Sequence, residues 1–179
     1  MFIDRYAPSY DGRPYLKECL ASFLTSTVFK APVSKDDVIV VAGSGAVMDI
    51  MGTALMNPPM DGKPADAFIC ITPCYNSFNN NFSLRNGAIM YKADITPTKY
   101  CYFIEIMCSY IITEEVLEQA YQAAICDGRK VRMLVFTNPN NPTGNVFSKE
   151  EMMIVLRFCR KYNIHLVIKS LYFLIGLVL

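Results

Sequence analysis

The chain has 179 residues, 53% of them hydrophobic and 18% charged, with 17 Lys and Arg against 16 Asp and Glu. That length accommodates one domain with a substantial core and leaves little for a second. The near balance of charge removes the electrostatic case for a nucleic acid or an anionic membrane as partner.

The start, MFIDRYAPSYDGRP, has no basic segment followed by an apolar core, so it does not read as a secretory leader. From Pro14 the apolar residues Leu16, Cys19, Leu20, Phe23 and Leu24 recur at helical spacing behind a proline placed where helices begin, which predicts an amphipathic helix. Asp37-Val38-Ile39-Val40-Val41 is a short β-branched run that predicts a strand. A glycine turn, Gly43-Ser44-Gly45-Ala46, follows it, then a helix through Met48, Met51 and Leu55.

Phe68 to Ile71 predicts a buried strand ending at Thr72-Pro73, and Ile89 to Tyr91 a third strand after the turn Asn86-Gly87. Thr113, with Glu114 and Glu115 behind it, predicts a capped helix that Gly128 stops. Val131 to Phe136 then predicts a strand, Ser148 and Glu151 a capping box opening a helix, and Ile164 to Ile168 a further strand. Strands that alternate with helices and are apolar on both faces predict a mostly parallel sheet covered on each side, with ligands at the strand carboxyl ends.

Two stretches break this rhythm. Tyr100 to Ile112 is aromatic and apolar where a surface connection is expected, and the tail from Ser170 is apolar without alternation. The tail is too short for the roughly 20 apolar residues that span a bilayer. The seven cysteines, odd in number, scattered and without zinc-ligand spacing, read as reduced core thiols of a cytoplasmic protein. His165, the one histidine, reads as a structural strand residue.

Candidate chemistry lies in three turns. Gly43-Ser44-Gly45-Ala46 joins the predicted strand to a helix, where backbone N–H groups and the helix dipole can hold a phosphate; close packing explains such a turn about as well. Thr72-Pro73-Cys74-Tyr75 brings an aromatic ring to the same rim of the sheet, although by itself Tyr75 reads better as a core residue. Thr137-Asn138-Pro139-Asn140-Asn141-Pro142-Thr143-Gly144 follows the strand ending at Phe136, and its two Asn-Pro pairs stiffen the backbone so that Asn141 is held in place.

In order and spacing, Tyr10-Asp11-Gly12-Arg13-Pro14, AGSGA, TPCY and NPNNPTG resemble the fold-type-I, pyridoxal-phosphate-dependent aminotransferases of class I/II, and within them the 1-aminocyclopropane-1-carboxylate synthase-like branch. The resemblance covers roughly residues 6 to 172. It implies an α/β fold, a partial three-layer domain with a mostly parallel sheet that is incomplete at its C-terminus. Residues 1–179 would form part of the cofactor-binding large domain, without the small domain.

The resemblance also implies roles. Ser44, Gly45 and Ala46 would bind the phosphate of pyridoxal 5'-phosphate, and Tyr75 would stack on its pyridine ring. Asn141 would hydrogen-bond the phenolic oxygen and help orient the substrate carboxylate, and Tyr172 would bond the same oxygen. Tyr10 would reach the phosphate of a second subunit, implying a homodimer, and the substrates would be α-amino acids.

The family pattern fails at one point inside the resemblance. The aspartate that keeps the ring nitrogen protonated belongs at the end of the strand Ile164 to Ile168, in a motif resembling Asp-Glu-Ile-Tyr, and this chain reads Lys169-Ser170-Leu171-Tyr172. A lysine there opposes a pyridinium. The Schiff-base lysine and the carboxylate-binding arginine of the family fall beyond Leu179. The expectation is a family member inactive as this chain, with a non-catalytic cofactor-binding or dimerising module as the alternative.

Overall fold

A computed structural model describes residues 11–96 and 110–170. The chain forms two compact units, Met1–Val47 and Met48–Leu179.

In the first unit α1 spans Pro14–Phe23, with proline in its first turn, and continues as a π-helical segment Leu24–Phe29 that ends on left-handed Lys30. Lys17, only 6% exposed, is paired with Asp11, which spares the buried ammonium its desolvation cost. The strand expected over Asp37 to Val41 does not form. Ser34 and Asp37 make a reciprocal capping box that curls Lys35–Asp37 into a 3₁₀ turn, and the following chain departs from it without a ladder. Val40 N–H reaches Asp11 O at 2.9 Å.

Helix α2, Gly43–Leu55, leads into the second unit. There β1 (Ala67–Thr72), α3 (Phe78–Ser83), β2 (Ile89–Asp94), α4 (Glu114–Cys126), β3 (Val131–Thr137), α5 (Lys149–Tyr162) and β4 (His165–Lys169) follow in order. The four strands form one parallel sheet in the order β2-β1-β3-β4. Central β1 is buried along its whole length and β3 nearly so, as continuous apolar runs predict, whereas β2 and β4 are half-exposed.

Helices cover both faces, giving the three-layer α/β arrangement. On one face Phe68, Cys70, Met133 and Val135 pack against Met48 and Met56 from α2 and its end, and against Phe78 and Phe82 of α3. On the other, Ile69, Ile71, Leu134 and Phe136 pack against Leu117, Ala120 and Ala124 of α4 and Val155 and Phe158 of α5. Gly52 makes the first interface possible, because a Cβ there would lie 2.6 Å from the Phe82 carbonyl oxygen.

The predicted caps form. Thr113 Oγ1 accepts from Val116 N–H, and Ser148 Oγ accepts from Glu151 N–H while Glu151 Oε2 accepts from Ser148 N–H. Of the aromatic stretch, residues 100–109 lie outside the described residues. Its end is anchored: Ile112 is 1% exposed and donates its N–H to Glu151 Oε1 at 2.9 Å.

Candidate functional site

The phosphate-turn residues belong to the first unit. Gly43, with φ +85°, starts α2 in the left-handed region, and Ser44, Gly45 and Ala46 form the helix's first turn. Ser44 and Gly45 are exposed, and nothing lies within 4 Å of the point a Gly45 Cβ would occupy, so this helix start is not crowded by side chains.

In the second unit the carboxyl ends of β1, β3 and β4 converge. Beyond β1 the chain turns through a cis Thr72-Pro73 bond to Cys74 and Tyr75, and both Asn-Pro bonds of the loop after β3 are also cis. Asn140, 5% exposed, ties the two loops together by donating Nδ2–H to Pro73 O at 3.1 Å. The loop closes on itself through Gly144 N–H to Asn140 O and Asn140 N–H to Asn145 O. Asn138 Oδ1 accepts from Phe147 N–H at 3.2 Å, and Asn138 N–H donates to Lys169 O at 3.2 Å, linking the loop to the end of β4. The sequence reading singled out Asn141, yet the buried anchor is its neighbour Asn140. Asn141 itself lines an open cavity of about 330 Å³ with Pro139, Pro142 and Gly144.

Tyr75 packs edge-on against Phe78, with ring centroids 5.5 Å apart. Above it sits Lys169, the last residue of β4, whose Nζ is 4.0 Å from the Tyr75 centroid and 5.6 Å from that of Phe78. Strand register explains the approach: Lys169 pairs with Thr137, and strand alternation puts both on the face that carries Met133, Val135 and Val167. The ammonium gains a cation–π contact on the ring. Thr72 and Thr137 end β1 and β3 with buried hydroxyls that have no hydrogen-bond partner. Tyr10 and Tyr172 lie outside the described residues.

The same rim holds a thiol pair absent from the sequence reading. Contact with Cys74 and burial push the Cys70 thiol well above its ordinary range. Contact with Cys70, helped by the charge of Lys92 and opposed by burial, holds half-buried Cys74 below that range. Among the described residues no group of histidine, cysteine and carboxylate side chains could hold a metal ion, and no helix is long and apolar enough to cross a membrane.

The description "Aminotransferase class I and II" matches residues 4–175. The chain is 32% identical over 171 residues to the human (Homo sapiens) "probable inactive 1-aminocyclopropane-1-carboxylate synthase-like protein 2", covering 93% of this chain and 28% of that protein. It is 30% identical over 168 residues to 1-aminocyclopropane-1-carboxylate synthase 9 of Arabidopsis thaliana, covering 91% and 32%. The chain thus spans less than a third of the length of either relative. Among solved structures it resembles aspartate aminotransferase from Thermus thermophilus with maleate, with a TM-score of 0.72 at 22% identity, over 92% of this chain and 37% of that one. Alanine aminotransferase from Pyrococcus furiosus is similar, with a TM-score of 0.70 at 20% identity, over 93% and 37%. At these identities the structures speak for the fold.

Proposed function

The chain belongs to the aminotransferase class I and II family and is similar to its 1-aminocyclopropane-1-carboxylate synthase-like branch; on that premise we propose that it is a non-catalytic member, derived from enzymes of α-amino-acid metabolism. One observation carries the reading: the Lys169 ammonium stands 4.0 Å over the Tyr75 ring. The family is pyridoxal-phosphate-dependent, and its ring-nitrogen aspartate would occupy the place of Lys169, with the pyridine ring on Tyr75. Here a cation covers the stacking face and opposes a protonated ring nitrogen. The residues present therefore do not fit pyridoxal phosphate as the family uses it.

Removing one partner of a buried ion pair typically costs about 3 to 5 kcal/mol, and a like charge in its place would count against binding of a protonated ring rather than for it. The name "probable inactive" of the human relative agrees with this reading. In this proposal residues 1–179 are part of a cofactor-binding domain. The open turn Ser44-Gly45-Ala46 keeps its capacity for a phosphate group, Asn141 and Tyr172 mark the remnant of the phenolic-oxygen contacts, and Tyr10 marks a remnant dimer contact.

The test uses the purified chain, pyridoxal phosphate and a panel of α-amino acids. Absorbance is followed before and after borohydride reduction, and keto acid is measured. Absence of keto-acid formation, with cofactor binding that is at most weak and is competed by phosphate, supports the proposal. Amino-acid turnover by the unmodified chain overturns it.

A further inference from the structure

We propose that the amino ends of β1, β3 and β4 carry a second ligand site, for a small heteroaromatic phosphate such as a nucleoside monophosphate. This edge of the sheet is opposite the one that holds Tyr75, Asn141 and Lys169, so the proposal is independent of the preceding reading.

Two cavities meet there and share Lys130 and Arg132. One, of about 220 Å³, has a mixed lining, with Leu55, Ile125, Tyr121 and Tyr162 among its apolar and aromatic groups and His165 and Asn163 beside the shared pair among its polar ones. The other, of about 290 Å³, is lined by Lys63, Asp66 and Asn57 beside the shared pair. Each alone is small for a ligand site; a ligand that reached past the Lys130 and Arg132 side chains to use both would have a volume in the size range of small-molecule pockets.

The first cavity has a preformed aromatic pair in its wall. Tyr121 and Tyr162 stack with centroids 3.8 Å apart, Tyr121 is braced edge-on by buried Phe158, and the Tyr162 hydroxyl donates to Glu118 Oε2. Side chains held in this way lose little freedom when a flat ring packs against them. Asn163 and His165 supply hydrogen-bonding groups for the edge of such a ring.

The second cavity is cationic. Arg132 donates Nε–H to Asp66 Oδ2 at 2.7 Å, and that same oxygen accepts from Asn57 N–H and Asn57 Nδ2–H, each at 2.9 Å. Asp66 is thus satisfied and neutralised, and the guanidinium is fixed in direction with its terminal nitrogens left for a ligand. Lys63 and Lys130 are exposed and have no carboxylate at ion-pair distance among the described residues. Three cations against one engaged carboxylate select an anion, and a fixed guanidinium flanked by two ammonium groups suits a phosphate. An aromatic slot adjoining a phosphate cradle selects a ring and phosphate in one molecule over either alone.

Calorimetric titration of the full chain with adenosine monophosphate, adenosine and inorganic phosphate tests this. The nucleotide is expected to bind at least about tenfold more tightly than either fragment, and Lys130→Gln or Lys63→Gln, both surface changes, to weaken it about fivefold. Ile125→Glu, which puts a carboxylate at the mouth of the aromatic cavity, is expected to abolish nucleotide binding in a variant that melts like the parent. Equal affinity for nucleotide and phosphate, or unchanged binding in the Lys130 and Lys63 variants, overturns the proposal. So does loss of binding in Lys169→Gln instead, which would place the nucleotide at the carboxyl ends.

Discussion

Lys169 and Tyr75, which come from the ends of β4 and β1, meet at 4.0 Å between ammonium and ring centroid. The contact itself is worth about 0.5 to 2 kcal/mol, depending on how far it is desolvated. In the proposed reading its larger consequence is to occupy the ring face and set a positive charge where the resemblance implies a negative one.

Lys169→Asp removes both obstacles together. The variant is expected to bind pyridoxal phosphate about tenfold more tightly than the parent chain, about 1.4 kcal/mol, as measured by equilibrium dialysis. Equal or weaker affinity in the variant would show that Lys169 is not what bars the cofactor.

Gly52→Ala tests the packing of α2 on α3. Alanine gains up to about 1 kcal/mol in helix propensity, which favours the variant. Against this, the new Cβ would stand 2.6 Å from the Phe82 carbonyl oxygen, a backbone atom that cannot swing aside. Overpacking against backbone costs more than the propensity gain, so a net loss of about 1 to 2 kcal/mol and a fall in Tm of roughly 2 to 8 °C are expected by circular dichroism. A raised Tm would mean that α3 shifts freely.

The elements legible in the sequence are those with local signals. The Ser148 and Glu151 capping box, the Thr113 cap and the apolar runs of β1 and β3 each declare themselves within a few residues. The segment Asp37 to Val41 misled because its β-branched residues predict a strand only if a neighbour supplies a ladder, and the stronger local signal was the Ser34 and Asp37 box just before it. Helix α3, FNNNFS, escaped notice because three asparagines favour turns; what holds it is burial of Phe78 and Phe82, a tertiary effect. At the site, the motif drew attention to its second central asparagine, while the hydrogen bond from Asn140 to Pro73 O depends on two loops meeting across the sheet. Lys169 was recognisable as a departure from pattern, but its seat on Tyr75 follows only from the strand order β1-β3-β4 and the Thr137–Lys169 register.

Glu151 does more than cap α5. One carboxylate oxygen takes Ser148 N–H at 2.8 Å, and the other takes Ile112 N–H at 2.9 Å, joining the helix start to the segment that enters α4. Ser148→Ala removes one hydrogen bond to the helix and is expected to cost about 1 kcal/mol. Glu151→Ala strands the Ile112 N–H beside a buried side chain as well, and is expected to cost about 2 to 3 kcal/mol in urea unfolding. Equal losses in the two variants would mean that the Ile112 bond contributes nothing.

Three thiols packed around the sheet give an order of reactivity. Cys74 is half-buried and, through contact with Cys70 and the Lys92 charge, has its thiol held below the ordinary range, so more of it is thiolate near neutral pH. Burial pushes Cys159 up to about 11, and Cys70 is fully buried as well as raised. Brief treatment with iodoacetamide followed by peptide mass spectrometry is expected to label Cys74 well before Cys70 or Cys159. Replacing Lys92 by Gln should slow that labelling; faster labelling of Cys159 than of Cys74 would contradict the assignment.

Asp66 ties acid sensitivity to the amino end of the sheet. Burial works to raise its carboxyl, but the hydrogen bond from Asn57 N–H and the contact with the Arg132 guanidinium outweigh burial and hold it below its ordinary value of 3.8. The folded chain therefore keeps this carboxylate ionised at a pH where the unfolded chain has already taken up a proton. The stability it supplies is complete well above the unfolded value and is lost as pH falls through 3.8 toward the folded value. Asp66→Asn cannot make that exchange, and it leaves the Arg132 guanidinium without its carboxylate. Urea midpoints at about pH 7 and about pH 3 are expected to differ less in the variant than in the parent, with the variant weaker at the higher pH. An identical drop in both would assign the acid sensitivity to other carboxylates and leave the Asp66–Arg132 pair without a share in it.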